Sequence, residues 1–337
     1  MRAPDFWQSG GALSLLLTPA GCIYAIGGRL RQAFAAPRSA AMPVICVGNL
    51  TAGGAGKTPV VLALAAKLAA RPALADRVHA ITRGYGGELS GPARVDPVVH
   101  DAWKVGDEPL LLARRLPTWV ARDRVAGAAA AVSAGANLLI LDDGLQNPAL
   151  AKDLSFVVID GGAGFGNGRV IPAGPLREPV ADGLSRADAA IIVGDDRKAI
   201  AATLAKLAPD LPILRAHLAP VAQSAATLAG QPLVAFAGIG RPEKFYESLR
   251  ALGCDVKATR SFADHHPYDA IDVAALRRLA AEHDAKLVTT AKDLMRWPGD
   301  AELTPLTLDV EIAWDDETAL DLLLAAKLAR HLPEAWP

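Results

Sequence analysis

The chain has 337 residues, 51% hydrophobic and 21% charged, which excludes whole-chain disorder and suits two domains, or one large α/β domain with an appendage. Its 35 Lys and Arg balance 36 Asp and Glu to a net charge of −1, so composition makes no case for nucleic acid as a partner. Three cysteines (Cys22, Cys46, Cys254), with no CxxC or Cys/His cluster, exclude a disulfide framework and offer no structural zinc site.

No charged residue occurs between Asp5 and Arg29. A signal peptide fits this stretch badly, because no A-x-A site follows it cleanly. A spanning helix needs ~20 mostly apolar residues, and Gln8, Ser9, Gly10, Gly11, Ser14 and Pro19 interrupt the run. The expectation is one or two short helices broken near Pro19. Their greasy face would lie on a membrane and Arg29, Arg31 and Arg38 would meet anionic headgroups. The alternative is a helix pair packed on the protein itself.

Pro43–Gly48 then reads as a buried strand, followed by a Gly-rich turn and a helix over Pro59–Ala70. Strands are predicted at Val78–Thr82, Leu138–Leu141, Phe156–Ile159 and Ala189–Val193, and helices at Asp107–Leu116 and Asp123–Ala134. This alternation argues for a mostly parallel sheet covered on both faces. Near Leu211 the pattern restarts with strands at Leu233–Ala237, Asp255–Thr259 and Lys286–Thr290 and helices at Pro242–Leu252 and Ile271–His283. Ile213–Leu218 and Leu306–Ile312 flank that smaller unit and are expected to pair as a two-stranded connection. Thr318–His331 reads as a terminal helix whose docking site is open.

The strongest local signal is Thr51-Ala-Gly-Gly-Ala-Gly-Lys-Thr58, lying between a strand and a helix as a phosphate-binding loop must. Gly53, Gly54 and Gly56 let successive N–H groups around Ala55 converge on an anion. The helix start adds its positive end. Lys57 can reach β- and γ-phosphate oxygens, and the Thr58 hydroxyl can ligate Mg²⁺. Thr51 stands where the pattern usually has glycine. Asp142 and Asp143 end a buried strand at its C-terminal edge, where a P-loop protein needs carboxylates for the metal. An Asp-Gly turn is the plain alternative. ATP is favoured over GTP because no N-K-x-D string occurs; Thr290-Ala-Lys-Asp293 has the wrong spacing.

Beyond these motifs the sequence resembles the tetraacyldisaccharide 4′-kinase (lipid A 4′-kinase) family. The resemblance rests on Val47-Gly-Asn-Leu-Thr-Ala-Gly-Gly-Ala-Gly-Lys-Thr-Pro59 and on an ordered set of later blocks. These are Arg83-Gly-Tyr-Gly86, Val105-Gly-Asp-Glu-Pro109, Asp142-Asp-Gly-Leu-Gln146, Gly166-Asn-Gly168, Pro172-Ala-Gly-Pro-Leu-Arg-Glu-Pro179, Phe262-Ala-Asp-His265 and Thr289-Thr-x-Lys-Asp293. Asn147 and Ala291 depart from the pattern, where His and Glu are expected.

The resemblance implies a P-loop NTPase-like α/β fold. It implies an N-terminal membrane-associating segment at 1–40, a kinase core at 41–212, a smaller lobe with its connection at 213–312, and a C-terminal helix at 313–337. It implies transfer of the ATP γ-phosphate to the 4′-hydroxyl of a tetraacyldisaccharide 1-phosphate, giving lipid IVA, at the cytoplasmic face of the bacterial inner membrane. Its residue-level implications are Asp107 as base, partnered by His265 from the second lobe; Arg177 countering phosphate charge; Glu178 joining Thr58, Asp142 and Asp143 around Mg²⁺; and Arg83, Tyr85 and Asn167 on the substrate side. Asp264 and Lys292 stay open. On the residues alone, Asp107-Glu-Pro also reads as a helix N-cap. A P-loop ATPase or GTPase acting as a nucleotide-dependent switch remains the alternative.

Overall fold

The computed structural model describes residues 4–298 and 304–336, so residues 1–3, 299–303 and 337 of the expected segments lie outside it. Thirteen described strands form two sheets. They are β1 Val44–Gly48, β2 Val78–Thr82, β3 Ala93–Arg94, β4 Thr118–Val120, β5 Leu138–Asp142, β6 Leu154–Asp160, β7 Ala189–Val193, β8 Ile213–Pro220, β9 Pro232–Ala237, β10 Asp255–Ser261, β11 Lys286–Thr290, β12 Leu306–Leu308 and β13 Val310–Trp314. The large sheet runs β13-β8-β7-β6-β1-β5-β2-β4-β3, and the small one β10-β9-β11-β12. Pairing is parallel except at the two edges of the large sheet, β13 on β8 and β3 on β4.

The central strands β1, β5, β6 and β7 are buried along their whole length, as runs such as VICVG and LLILD require when helices cover both faces. Two apolar layers result. One contains Val60, Leu64 and Leu68 of the helix Lys57–Ala69, together with Leu320, Leu324 and Leu328 of the terminal helix Glu317–Leu328. The terminal helix therefore docks on the large unit. Lys67 clasps it through Glu317 at 2.9 Å and Asp321 at 3.0 Å. The small unit has its own core around Leu233, Ala235, Leu249 and Val288.

Two expectations need correction. Leu306–Ile312 is two strands rather than one. The chain pairs with β11 through β12, then crosses at Asp309 and pairs with β8 through β13. Asp309 is held at that crossing by helix Ala222–Leu228 and the residue before it: its N–H donates to Ser224 Oγ at 3.2 Å and its carbonyl accepts from Val221 N–H at 2.9 Å.

The N-terminal helix also does not break at Pro19; it runs unbroken over Ala12–Ala33 after the short turn Phe6–Ser9. A mid-helix proline removes one donor, and anchors along the helix hold it in place. Trp7 Nε1 donates to the Pro172 carbonyl at 3.1 Å and Ser14 Oγ to the Ala173 carbonyl at 2.6 Å. Arg29 pairs with Asp182 at 2.5 Å, and Arg31 and Gln32 donate to the Gln146 carbonyl at 3.0 and 3.2 Å. The opposite face leaves Leu13, Leu15, Leu16, Ile23, Tyr24, Ile26, Leu30 and Phe34 exposed. By length and composition this helix could cross a membrane.

Candidate active site

The Gly-rich loop leaves β1 at its C-terminal edge and enters helix Lys57–Ala69. Gly53 has φ +113° and Gly56 has φ +83°, a left-handed region that a side chain would strain. The loop is braced from behind. Ala52 N–H donates to the Pro175 carbonyl at 2.7 Å, and the buried Asn49 amide donates to the Thr51 carbonyl at 2.8 Å. Its shape is thus set by the protein, and Lys57 stands at the first helical position.

At the end of β5, Asp142 and Asp143 take different jobs. Asp143 turns outward with φ +59° and accepts two hydrogen bonds from Arg177, at 2.7 and 2.9 Å, with Lys57 Nζ 3.8 Å away. Burial alone would raise its pKa, but Lys57 and Arg177 outweigh it and hold the carboxyl below its usual range. Asp142 is fully buried, and neither of its oxygens has a hydrogen-bond partner. Burial, with Glu108 adding to it, pushes Asp142 up to about 7. A buried carboxylate left unpaired in a protein interior is costly, and a cation would relieve it. A cation therefore fits here; Thr58, the second residue of helix Lys57–Ala69, lines the cleft. Among the described residues no ready-made cage of three or more His, Cys, Asp or Glu exists.

The second cluster is built across the two units. Gly106 caps the helix Asp107–Ala113, so Asp107 opens it, 3% exposed. His265, from the loop after β10, approaches with Nδ1 at 3.1 and 3.0 Å from the two Asp107 oxygens. Asp107 also accepts from Glu108 N–H at 2.8 Å, and Arg296 Nε lies 3.1 Å from its Oδ2. Burial raises the Asp107 pKa, but the His265 hydrogen bond and the charges of Lys292 and Arg296 more than reverse this and keep it below the ordinary carboxylate range. Lys292 Nζ lies 3.2 Å from His265 Nε2 and 3.0 Å from Glu108 Oε1. Met295 and Leu294 of the same turn pack among Val105, Leu110 and Val120 of the large unit. His266, the neighbouring histidine, instead bonds Asp272 at 2.7 Å and stacks on Phe262.

A cleft of about 3060 Å³ joins these parts. It touches Lys57, Asp143, Arg83, Tyr85, His265 and Lys292 and reaches Tyr24 and Arg29 of the N-terminal helix. The Tyr85 ring lies 5.3 Å from that of His265. On another wall Asp160 pairs with Arg241, and with Lys244 at 3.3 Å, so the end of β6 holds the start of helix Pro242–Ala251.

Two expected site residues are bonded to other parts of the protein. Asn167 spends its whole amide on the N-terminal turn. Nδ2 donates to the Phe6 carbonyl, Ser14 Oγ and the Ala173 carbonyl at 2.9, 2.9 and 3.0 Å, and Oδ1 accepts from Arg169 N–H at 3.0 Å. These bonds staple the N-terminal turn and helix to the loop. Glu178 lines the cleft, where it accepts from Arg186 at 2.7 and 2.6 Å and from Gln146 at 2.9 Å. Arg177 lies beside Lys57 and Asp143, on the phosphate side of the cleft. Sequence reasoning missed Arg296, Arg186 and the Asp160–Arg241 pair, none of which sits in a local motif. The Thr289-Thr-x-Lys-Asp293 block was the only pointer to Lys292.

Comparison with known proteins identifies the family and the fold. A family model described as tetraacyldisaccharide-1-P 4′-kinase matches residues 13–329. A tetraacyldisaccharide 4′-kinase of Rhodospirillum centenum is 55% identical over 334 residues, covering 98% of this chain and 97% of that one. One from Gluconacetobacter diazotrophicus is 52% identical, covering 96% and 97%. The fold is similar to that of LpxK from Aquifex aeolicus, solved in complex with ATP, with a TM-score of 0.74 and 26% identity over 94% of this chain and 99% of that chain. The chain belongs to the tetraacyldisaccharide-1-P 4′-kinase family.

Proposed function

From this membership we propose that the chain transfers the γ-phosphate of ATP to the 4′-hydroxyl of a tetraacyldisaccharide 1-phosphate, a step of lipid A synthesis, working at the cytoplasmic face of the inner membrane. The observation that carries the reading is the Asp107–His265 pair, which reaches the same cleft as Lys57 through His265. A nucleotide switch has no need of a base aimed at a second substrate; a kinase acting on an alcohol has.

The chain's own residues divide the work. The loop N–H groups and Lys57 hold the triphosphate. Asp142 and Thr58 would hold Mg²⁺, which when bound neutralises phosphate charge. Arg177 keeps Asp143 ionised and lends positive charge beside Lys57. A sugar hydroxyl needs its proton removed as it attacks, and the Asp107–His265 pair takes it as a unit. The His265 side chain is 25% exposed and that of Asp107 2%, which supports entry of the proton at His265 Nε2 with the carboxylate behind it. Sequence expectation had placed the proton on Asp107 directly. Arg83 and Tyr85 line the cleft on this side and are assigned to the sugar acceptor.

The exposed apolar face of helix Ala12–Ala33 supports membrane association. Its other face is tied to the protein by Ser14, Arg29, Arg31 and Gln32, which favours lying in the bilayer surface over spanning it. The acceptor keeps its acyl chains in the bilayer, so the cleft has to open there. Incubation with γ-labelled ATP and the disaccharide lipid in mixed micelles tests the reading. Label should appear in the lipid; label released only as free phosphate, with or without lipid, would favour the switch.

A further inference from the structure

Lys292 lines the cleft beside His265, and its position there has a chemical consequence. Its Nζ lies 3.2 Å from His265 Nε2 and 3.0 Å from Glu108 Oε1. An ammonium carries donors and no acceptor. Next to it Nε2 can only accept, so the ring proton sits on Nδ1 and points at the two Asp107 oxygens, 3.1 and 3.0 Å away. The opposite tautomer would set N–H against ammonium on one side of the ring and lone pair against carboxylate on the other.

We propose that Lys292 is a positioning residue for the transfer: its ammonium, anchored on Glu108, holds His265 with the proton on Nδ1 and keeps the Nε2 lone pair facing the cleft as a place-holder for the acceptor hydroxyl. The inference rests on the kinase reading above and adds to it how the base is kept ready. Three observations bear on it. Burial would tend to discharge Lys292, but Glu108, Asp107 and Asp264 outweigh this and raise its pKa, so the ammonium persists. The turn that carries it is pinned, because Leu294 and Met295 pack among Val105, Leu110 and Val120. Arg296, one helical turn further on, closes over Asp107 from the same side. The other groups facing His265 are Asp264, whose Oδ1 is 3.9 Å from Nε2, and the ring of Tyr85. Glu108 and Arg296 reach His265 only through Lys292 and Asp107.

The imidazole nitrogen offers one lone pair, so Lys292 and the sugar hydroxyl cannot both donate to it. On arrival of the acceptor, Lys292 falls back on Glu108. The hydroxyl proton then passes to Nε2 while the oxygen bonds to the γ-phosphorus. The bond from that phosphorus to the β–γ bridging oxygen breaks, and its electron pair leaves with ADP. The resulting imidazolium still donates from Nδ1 to Asp107.

The test uses the full chain and three variants, Lys292→Met, Lys292→Arg and Glu108→Gln. Histidine-selective ¹⁵N spectra of the protein without substrate report the His265 tautomer, with His265→Gln to assign the signal. Rates of label transfer from ATP to the lipid acceptor are measured across pH. Wild type should show the Nδ1–H form alone. Lys292→Met should show a mixture of tautomers and lose roughly ten- to a hundredfold in kcat, with KM for ATP nearly unchanged. The loss should vary with pH rather than be uniform. Lys292→Arg should recover most of the loss, and Glu108→Gln should lose less than Lys292→Met. An unchanged tautomer in Lys292→Met, or a uniform fall at every pH accompanied by a rise in KM for ATP, overturns the proposal. The spectra need no turnover. Failure of wild type to label the lipid would therefore sink the kinase reading separately, while the tautomer still decides the role of Lys292.

Discussion

The phosphate loop and the base site obey different rules. The loop is one stretch of eight residues between consecutive elements, braced by its own unit through Asn49 and Pro175. The base site joins residues 158 apart in sequence, and it exists only while the turn Ala291–Leu294 and the loop holding His265 are docked on helix Asp107–Ala113. A site made by one unit is preformed; a site made by two is assembled by docking. Nucleotide binding should therefore tolerate disturbance of the small unit, and phosphoryl transfer should not.

The sharpest way to break this contrast is to remove members of each site. Asp107→Asn and His265→Ala should each lower kcat by about a thousandfold while calorimetric ATP affinity stays within about twofold. Lys57→Ala should instead damage both, with kcat down by about a hundredfold or more and ATP binding weakened. If Asp107→Asn weakened ATP binding as much as Lys57→Ala does, the two sites would not be separable. A milder probe acts on the docking alone. Met295→Ser should reduce kcat by about tenfold, with ATP affinity intact, by loosening the turn that delivers Lys292 and Arg296.

Acid gives a smaller effect with a definite sign. Asp107 is held below its ordinary range, so its ionised form stabilises the folded state above the unfolded carboxyl pKa of about 4, and this contribution is lost as pH falls through the lower folded value. The thermal midpoint of Asp107→Asn should thus lie below wild type at pH 7, with the gap closing below about pH 4. The smallest effect belongs to the membrane face. Leu16→Ser with Ile23→Ser should raise KM for the lipid acceptor several-fold and leave ATP affinity untouched, because both side chains are exposed. A change in ATP affinity there would tie the helix to the nucleotide site.

The same contrast explains what could be read in the sequence. The loop, the buried strand before it and Asp142–Asp143 at the end of β5 are local patterns, and local patterns carry their own physics. The Asp107–His265 pairing became visible only through resemblance, since on its own Asp107 looks like a helix cap. Arg296 and the Asp160–Arg241 pair were illegible because nothing near them in sequence specifies a partner on the other unit. The bonds from Asn167 to the N-terminal turn were illegible because a polar residue in a Gly-rich loop reads alike whether it faces a sugar or a neighbouring turn. Pro19 misled for a related reason: the contacts that keep helix Ala12–Ala33 whole come from Ala173, Asp182 and Gln146, far along the chain.

The central claim is that two units jointly make one base. A double-mutant cycle on kcat for lipid phosphorylation, built from Asp107→Asn, His265→Ala and the pair together, measures it directly. The account predicts that the double variant is no slower than the slower single variant. Losses that multiply would contradict it and assign the two side chains independent roles.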